Sequence, residues 1–128
     1  MRADEALDTR DPDSLKNAIN RFDLILSTVN VKLDWNLFIA TLRPKGRLHF
    51  VGATLAPLDV DVFPLISAQR TISGSPVGSP AAIKTMLAFA ERHHIKPIVE
   101  VFRFDQVNEA LARLASGNAR YRIVLSNQ

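Results

Sequence analysis

The sequence predicts an α/β fold, namely the second half of a doubly wound parallel sheet followed by a strand–helix–strand segment. Two observations predict it. Short apolar runs alternate with amphipathic helical segments through most of the chain, which is the pattern of buried parallel strands joined by crossover helices. In addition, the 128 residues contain no GxGxxG, the turn that commonly follows the first strand of such a sheet. We therefore expect a sheet that lacks this first strand.

Five helices are predicted from capping residues and from apolar residues at helical spacing. Their expected N-terminal caps are Asp11 or Asp13, Asp34, Asp61, Ser79 and Asp105. Proline follows the first and fourth caps directly, where a missing N–H costs nothing, and Gly117 is expected to end the last helix. The expected apolar faces are Leu15, Ala18, Ile19 and Phe22; Trp35, Phe38, Ile39 and Leu42; Ile83, Met86, Leu87 and Ala90; and Val107, Ala110, Leu111 and Leu114.

Three apolar runs, Leu24–Val29, Leu48–Val51 and Thr71–Gly74, are predicted to pair as a parallel sheet with helices on both faces. Two later runs, Ile98–Phe104 and Tyr121–Leu125, alternate less regularly. We interpret them as strands that leave the parallel sheet and pack elsewhere.

The chain is expected to change direction at Lys96-Pro97, because a residue before proline avoids the helical region. This divides it into residues 1–96, a partial sheet domain, and residues 97–128, a terminal strand–helix–strand segment.

Composition favours an ordinary soluble protein, with 47% hydrophobic and 23% charged residues. The net charge is +3, but the basic residues are scattered without interleaved aromatic residues, so no nucleic-acid partner is expected. The sequence has no cysteine, which excludes disulfides and thiolate metal sites within it. Because the first residues are acidic and no apolar run approaches about 20 residues, we expect no signal peptide, no membrane span and a cytoplasmic location.

The sequence predicts no catalytic and no metal-binding residue. Adjacent histidines such as His93 and His94 point about 100° apart on a helix and cannot share a metal as an i, i+4 pair can. His49 is interpreted as a satisfied sheet residue, and no histidine is expected beside Ser75 as a base. The aspartates at helix starts are explained as caps.

Two turns of small residues, Val51-Gly52-Ala53 and Gly74–Gly78, follow predicted strands. Small residues at the carboxyl ends of parallel strands let a flat ligand approach the backbone. The same residues are also compatible with simple turn geometry, and the residues alone leave both interpretations open.

Taken in order, the segments ADEALDTRD, FDLILSTV, GRLHFVGA, VFPLISAQRTISGSPVGS and DQVNEALARLASGNARYRIVL resemble the C-terminal part of zinc-dependent medium-chain alcohol dehydrogenases. The similarity is greatest to the cinnamyl-alcohol-dehydrogenase-like, broad aldehyde reductase branch. It extends from about Ala3 to Asn127 and implies a Rossmann-type sheet whose glycine-rich turn and zinc ligands precede the matched part.

The resemblance implies a parent enzyme that transfers hydride between NADP(H), with NAD as an alternative, and an alcohol–aldehyde pair, using an active-site zinc. It also implies a homodimer through the Thr71–Val77 region.

The resemblance also implies a set of cofactor-binding residues. On the family pattern these are Thr28 and Val29 on the adenosine side, Val51, Gly52 and Ala53 beside the nicotinamide ribose, Ser75, Pro76 and Val77 around the carboxamide, and Arg122 at the pyrophosphate. For Arg122, a surface ion pair is the alternative to the pyrophosphate contact. Pro76 departs from the family pattern, because relatives usually have a large apolar residue at this position.

Two other functions remain open at this point. The chain could be a stand-alone interaction or dimerisation module derived from this fold, or a regulatory domain that binds another adenine ligand. In the leading interpretation it is the C-terminal cofactor-binding portion of the dehydrogenase and is inactive alone.

Overall fold

A computed structural model describes residues 3–127. The chain forms two compact units, one up to Val77 and one from Gly78 onward. The division at residues 96 and 97, which refers to the domains of the resembled family, stays a prediction. Within the described residues, no helix is long and apolar enough to cross a membrane.

The first unit is a three-stranded parallel sheet, which confirms the predicted pairing. Its strands lie in the order β1 (Phe22–Ser27), β2 (Leu42–Phe50) and β3 (Thr71–Gly74). β2 begins earlier than expected, because the chain becomes extended directly after the second helix and runs through Pro44 and Gly46. The elements of this unit are α1 (Pro12–Lys16), β1 (Phe22–Ser27), α2 (Trp35–Thr41), β2 (Leu42–Phe50), α3 (Phe63–Ala68) and β3 (Thr71–Gly74).

One face of this sheet carries the core. Ile25, Leu48 and Ile72 lie side by side across the three strands. They pack with Trp35 and Ile39 of α2, both of which are buried, as Leu48 is. Since strand side chains alternate between faces, the neighbouring row belongs to the opposite face. The core is thus built between α2 and one side of the sheet.

The expected helices on both faces of this sheet are not found within the first unit. The strand order advances in one direction, and two right-handed crossovers in the same direction place α2 and α3 on the same face. The opposite face leaves Leu24 and Leu26 more than half exposed. That face includes the row formed by Leu26, His49 and Ser73.

The predicted caps are confirmed at three helices and wrong at two, Asp61 and Asp105. Asp105 lies inside the 3-10 turn Phe104–Gln106, and the N-cap of the last helix, Val107–Ala115, is Gln106. Asp11 accepts from the N–H of Asp13, Asp34 from the first turn of α2, and Ser79 from the N–H of Ala82. Asp61 does not cap α3, whose N-cap is Val62 without a side-chain bond. The reason is that the Asp61 N–H is bound to Asn36 Oδ1 at 2.9 Å, which holds Asp61 one residue before the helix entry.

The second unit is built around a two-stranded parallel sheet, which confirms that these strands leave the first sheet. On the last helix of this unit, Ala110 is buried as expected, but Val107, Leu111 and Leu114 are exposed, so their predicted burial is wrong. The reason is that a two-stranded sheet can cover only a narrow part of the helix surface. Gly117 follows this helix with φ +70°, as expected for its end. The elements are α4 (Pro80–Arg92), β4 (Val99–Arg103), a 3-10 turn (Phe104–Gln106), α5 (Val107–Ala115) and β5 (Arg122–Ser126).

Candidate functional site

The candidate site is the carboxyl edge of the first sheet, where β1, β2 and β3 end side by side. Parallel strands bring their carboxyl ends to one edge, so eight of the nine predicted cofactor residues follow strands at this edge. Arg122 lies on β5 in the second unit, paired with Val99 of β4. The eight residues are Thr28 and Val29 after β1, Val51, Gly52 and Ala53 after β2, and Ser75, Pro76 and Val77 after β3.

Gly52 brings two strand ends unusually close together. A Cβ built on Gly52 would lie 2.5 Å from the Thr28 carbonyl carbon and 2.8 Å from the Val29 oxygen, closer than any side chain tolerates. Nearby, the Thr54 hydroxyl donates to the Val29 carbonyl at 3.3 Å. The missing side chain at Gly52 therefore lets the ends of β1 and β2 touch through their backbones.

The backbone at Gly52 also changes its hydrogen-bond partner. The Val51 N–H donates to the Ser27 carbonyl at 3.0 Å, and the Gly52 N–H donates to the same oxygen at 3.2 Å. In a parallel ladder, successive residues bond alternately to the two neighbouring strands. In a continued ladder the Gly52 N–H would therefore have donated to the carbonyl of Ser75, directly after β3, but it has turned toward β1 instead.

Because the Gly52 N–H donates toward β1, backbone groups of the residues after β3 are left without a partner among the residues that the structure describes. The Ser75 N–H still bonds to the Phe50 carbonyl at 3.1 Å, which fixes the start of the segment. Within residues 3–127, neither the Ser75 carbonyl nor the Val77 N–H has a hydrogen-bond partner. Pro76 between them has no N–H. The segment thus presents one acceptor and one donor at the sheet edge.

The structure places a histidine beside Ser75, although the sequence indicated none that was positioned as a base for it. His49 Nε2 is 2.9 Å from Ser75 Oγ, and His49 Nδ1 is 2.9 Å from Ser73 Oγ. The interpretation of His49 as a satisfied sheet residue is confirmed by the same contacts. Alternation alone places these three residues on one face once the strand register is known, but the register is not visible in a single sequence.

A second feature that sequence reasoning missed is the hydroxyl of Ser27 at the end of β1. Ser27 is 6% exposed, and its Oγ makes no hydrogen bond within the described part of the chain. A buried hydroxyl without a partner costs free energy, and an ordered water or a bound group can supply the missing hydrogen bond. Together with the tight approach at Gly52 and the open groups of Ser75 and Val77, it fits an edge that receives a polar ligand.

The described residues do not fit a metal ion. Between residues 3 and 127, no group of three or more histidine, aspartate or glutamate side chains comes together. The sequence has no cysteine.

Comparison with known proteins identifies the family. The family described as zinc-binding dehydrogenase matches residues 1–92, which include the whole first unit and α4. The chain belongs to the zinc-binding dehydrogenase family. Among curated relatives of this family, the aldehyde reductase AdhA of Synechocystis is 59% identical over 127 residues, covering 99% of this chain and 38% of its own length.

Solved alcohol dehydrogenase structures share the fold. A cinnamyl alcohol dehydrogenase from Sorghum bicolor superposes with a TM-score of 0.88 at 34% identity, covering 96% of this chain and 35% of its own. The CAD from Helicobacter pylori, solved in complex with NADP(H), gives a TM-score of 0.68 at 28% identity over 80% and 30% of the two chains. The chain thus spans a little over a third of the length of the Synechocystis and Sorghum proteins, and the Rossmann-type fold is confirmed.

Proposed function

We propose that this chain is the C-terminal cofactor-binding portion of an NADP-dependent zinc alcohol dehydrogenase or aldehyde reductase. One observation carries the proposal. At the carboxyl edge of a parallel sheet, the Ser75 carbonyl and the Val77 N–H have no hydrogen-bond partner within residues 3–127 and can bind a ligand. Family membership supports it, as does the Helicobacter pylori CAD that was solved with NADP(H). NADP is preferred to NAD on this likeness alone.

The two open groups match the carboxamide of nicotinamide. A carboxamide has an NH2 that donates and an oxygen that accepts, so the Ser75 carbonyl would accept from the former and the Val77 N–H would donate to the latter. When bound, the cofactor supplies the hydride. The contribution of this chain is to orient the ring, because a hydride donor must be held at the right distance and angle.

The residues that follow β1 and those that follow β2 would hold the rest of the cofactor. Thr28 and Val29 would lie on the adenosine side, and Val51, Gly52 and Ala53 beside the nicotinamide ribose. The backbone contact at Gly52 keeps these turns compact, since no side chain separates them. Arg122 is proposed as a pyrophosphate contact on the family likeness.

The zinc chemistry would come from other parts of a longer protein, because the described residues offer no ligand set. We therefore expect the 128-residue chain to oxidise no alcohol with NADP or NAD. Zinc-dependent turnover by the purified chain, free of host dehydrogenase, would contradict this.

Cofactor binding is testable on the chain itself. Titrating ¹⁵N-labelled protein with NADPH should shift the amides of Thr28, Gly52, Ala53 and Val77, with a dissociation constant of roughly 1 mM or weaker, about −4 kcal/mol, because only half of a site is present. The amide of the exposed residue His94, which follows α4 in the second unit, serves as the comparison signal. Shifts confined to other regions, or none at several millimolar, would refute the proposal.

We also propose a homodimer through the Thr71–Val77 segment. β3 is an edge strand of the described sheet, and an edge exposes unpaired backbone groups. Since the Ser75 N–H points to β2, alternation directs the N–H groups of Ile72 and Gly74 outward. A two-fold axis would allow this edge to pair with its own copy.

Proline substitutions test this edge. Ile72→Pro removes an outward donor but also changes a side chain in the core, whereas Gly74→Pro removes an outward donor without that loss. Both should shift sedimentation toward monomer while far-ultraviolet circular dichroism stays unchanged for Gly74→Pro. A wild-type monomer at high micromolar concentration would exclude the dimer.

A further inference from the structure

The His49 imidazole lies between two serines of the neighbouring strand. Nδ1 is 2.9 Å from Ser73 Oγ and Nε2 is 2.9 Å from Ser75 Oγ. Ser73 stands directly opposite His49 in the strand register, and Ser75 lies one step further along the same face, past the end of β3. The ring therefore connects Ser73, a regular position of β3, with Ser75, the first residue of the segment Ser75–Val77 that carries the unpaired backbone groups.

Three restraints act on Ser75. Pro76 follows it, and a residue before proline is confined to extended backbone conformations. The His49 ring holds its hydroxyl, and the Phe50 carbonyl holds its N–H at 3.1 Å. Each restraint leaves the Ser75 carbonyl uninvolved. A segment on the sheet edge would otherwise sample several orientations of that carbonyl.

The contact also decides what the Ser75 hydroxyl offers. A neutral imidazole carries one N–H, so one serine accepts from the ring while the other donates to it. If Nε2 carries the proton, Ser75 Oγ accepts and its own hydrogen is free for a ligand. If Nδ1 carries it, the Ser75 hydrogen is used and the oxygen lone pairs are free.

We propose that His49 is a positioning residue, which fixes Ser75 so that its carbonyl is already oriented for the nicotinamide carboxamide. This inference rests on the proposed function. His49 itself does not touch the cofactor. It acts through Ser75, by reducing the orientations that binding would otherwise have to restrict.

The test uses two variants of His49, each of which keeps the contact made by one ring nitrogen and removes the contact made by the other. The amide of Gln reaches about as far as Nε2, so His49→Gln keeps the contact with Ser75. The amide of Asn reaches only as far as Nδ1, so His49→Asn keeps Ser73 and loses Ser75. Ser73→Ala is the matched control, because it removes the Nδ1 contact without touching Ser75.

Dissociation constants are measured by amide shift titration of the 128-residue chain with NADPH and with 2′-phospho-ADP-ribose, which lacks nicotinamide. His49→Asn should weaken NADPH binding about 3- to 10-fold, the effect of one hydrogen bond, and leave 2′-phospho-ADP-ribose unchanged. His49→Gln should restore NADPH binding. Equal weakening of both ligands, or equal loss in the Asn and Gln variants, would show a merely structural role and overturn the inference.

The wild-type chain gives a second measurement that does not depend on how the variants fold. The ¹⁵N shifts of the His49 ring report its tautomer, and they should change on adding NADPH but not on adding 2′-phospho-ADP-ribose. Unchanged ring shifts with saturating NADPH would overturn the inference while leaving the proposed function in place. Failure to bind either compound would overturn both.

Discussion

The two units of this chain are stabilised in different ways. In the first unit, α2 and the sheet enclose a core in which Trp35, Ile39, Leu42 and Leu48 are buried. In the second unit, Ala110 is the one buried apolar side chain among the described residues. The exposed apolar side chains there, each more than half accessible, include Met86, Leu87, Phe89, Val101, Leu111 and Leu114.

In the second unit, a charged cluster around Glu100 connects several elements. Glu100 on β4 accepts from Arg113 of α5 at 3.0 and 3.2 Å and from the Arg120 N–H at 2.7 Å. One carboxylate thus joins strand, helix and the approach to β5. The comparison indicates that the first unit depends on apolar packing, which ionic screening does not weaken, and that the second unit depends more on contacts that water and salt weaken.

The largest expected effect follows from the core of the first unit. Ile39→Ala should lower the free energy of unfolding by about 2–5 kcal/mol, because Ile39 is fully buried and its loss leaves a cavity. Leu111→Ala, on the exposed face of α5, should change it by no more than about 0.5 kcal/mol. Urea unfolding followed by circular dichroism measures both. Losses of similar size would disprove the contrast between the units.

The next effect concerns the tight approach in the candidate site. Gly52→Ala should cost about 1–3 kcal/mol, since the added Cβ would overlap the Thr28 backbone, which cannot move without disturbing β1. Gly74→Ala is the control at the same sheet edge, where the nearest atom, the Phe50 oxygen, is 3.4 Å away. Thermal unfolding of the two variants compares them, and an unaffected Gly52→Ala protein would remove the close approach from the site.

Much of the first unit could be predicted from sequence because its determinants are local. Asp34 followed by Trp35, Phe38 and Ile39 at helical spacing specifies both the start of α2 and its buried face. The alternation of strands and helices was sufficient to predict the parallel sheet. These features depend on residues within a few positions of one another.

The remaining features depend on what lies opposite a residue. Periodicity shows which face of α5 is apolar, but it cannot show whether anything covers Leu111 or Leu114. Likewise the contact of His49 with Ser73 and Ser75 depends on the register between β2 and β3. At Asp61 a competing bond from the distant residue Asn36 overrode the local capping preference.

Helix caps allow the two units to be compared with one kind of change. Asp34→Ala removes an acceptor for the Asn36 and Leu37 N–H groups, at 3.1 and 3.3 Å, and should cost about 1 kcal/mol. Because α2 carries the core, this loss should lower the stability of the whole first unit. Ser79→Ala removes the matching bond to Ala82 at 3.2 Å and should increase hydrogen exchange only in the first turn of α4. Global destabilisation by Ser79→Ala would contradict the contrast.

The smallest expected effect is at Glu100, because its contacts are accessible to water and screened. The Arg113 guanidinium, followed by the Arg120 N–H, lowers the pKa of Glu100 from its ordinary 4.5. A carboxylate with a lowered folded pKa adds stability that is complete above 4.5 and is lost as the pH falls through the folded value. Lowering the pH from 7 to 3 should therefore loosen β4, α5 and β5, and amide exchange rates in these elements measure it.

Glu100→Gln should reduce that pH dependence, because an amide cannot titrate, and it should weaken the second unit slightly at pH 7 by removing the charge opposite Arg113. Glu109→Gln is the matched control, since Glu109 accepts only from the Gln106 side chain, at 3.3 Å. At 1 M salt the difference between wild type and Glu100→Gln should shrink, whereas the effect of Ile39→Ala should persist. If acid loosened the second unit equally in wild type and Glu100→Gln, the carboxylate would not be the group that holds β4, α5 and β5 together.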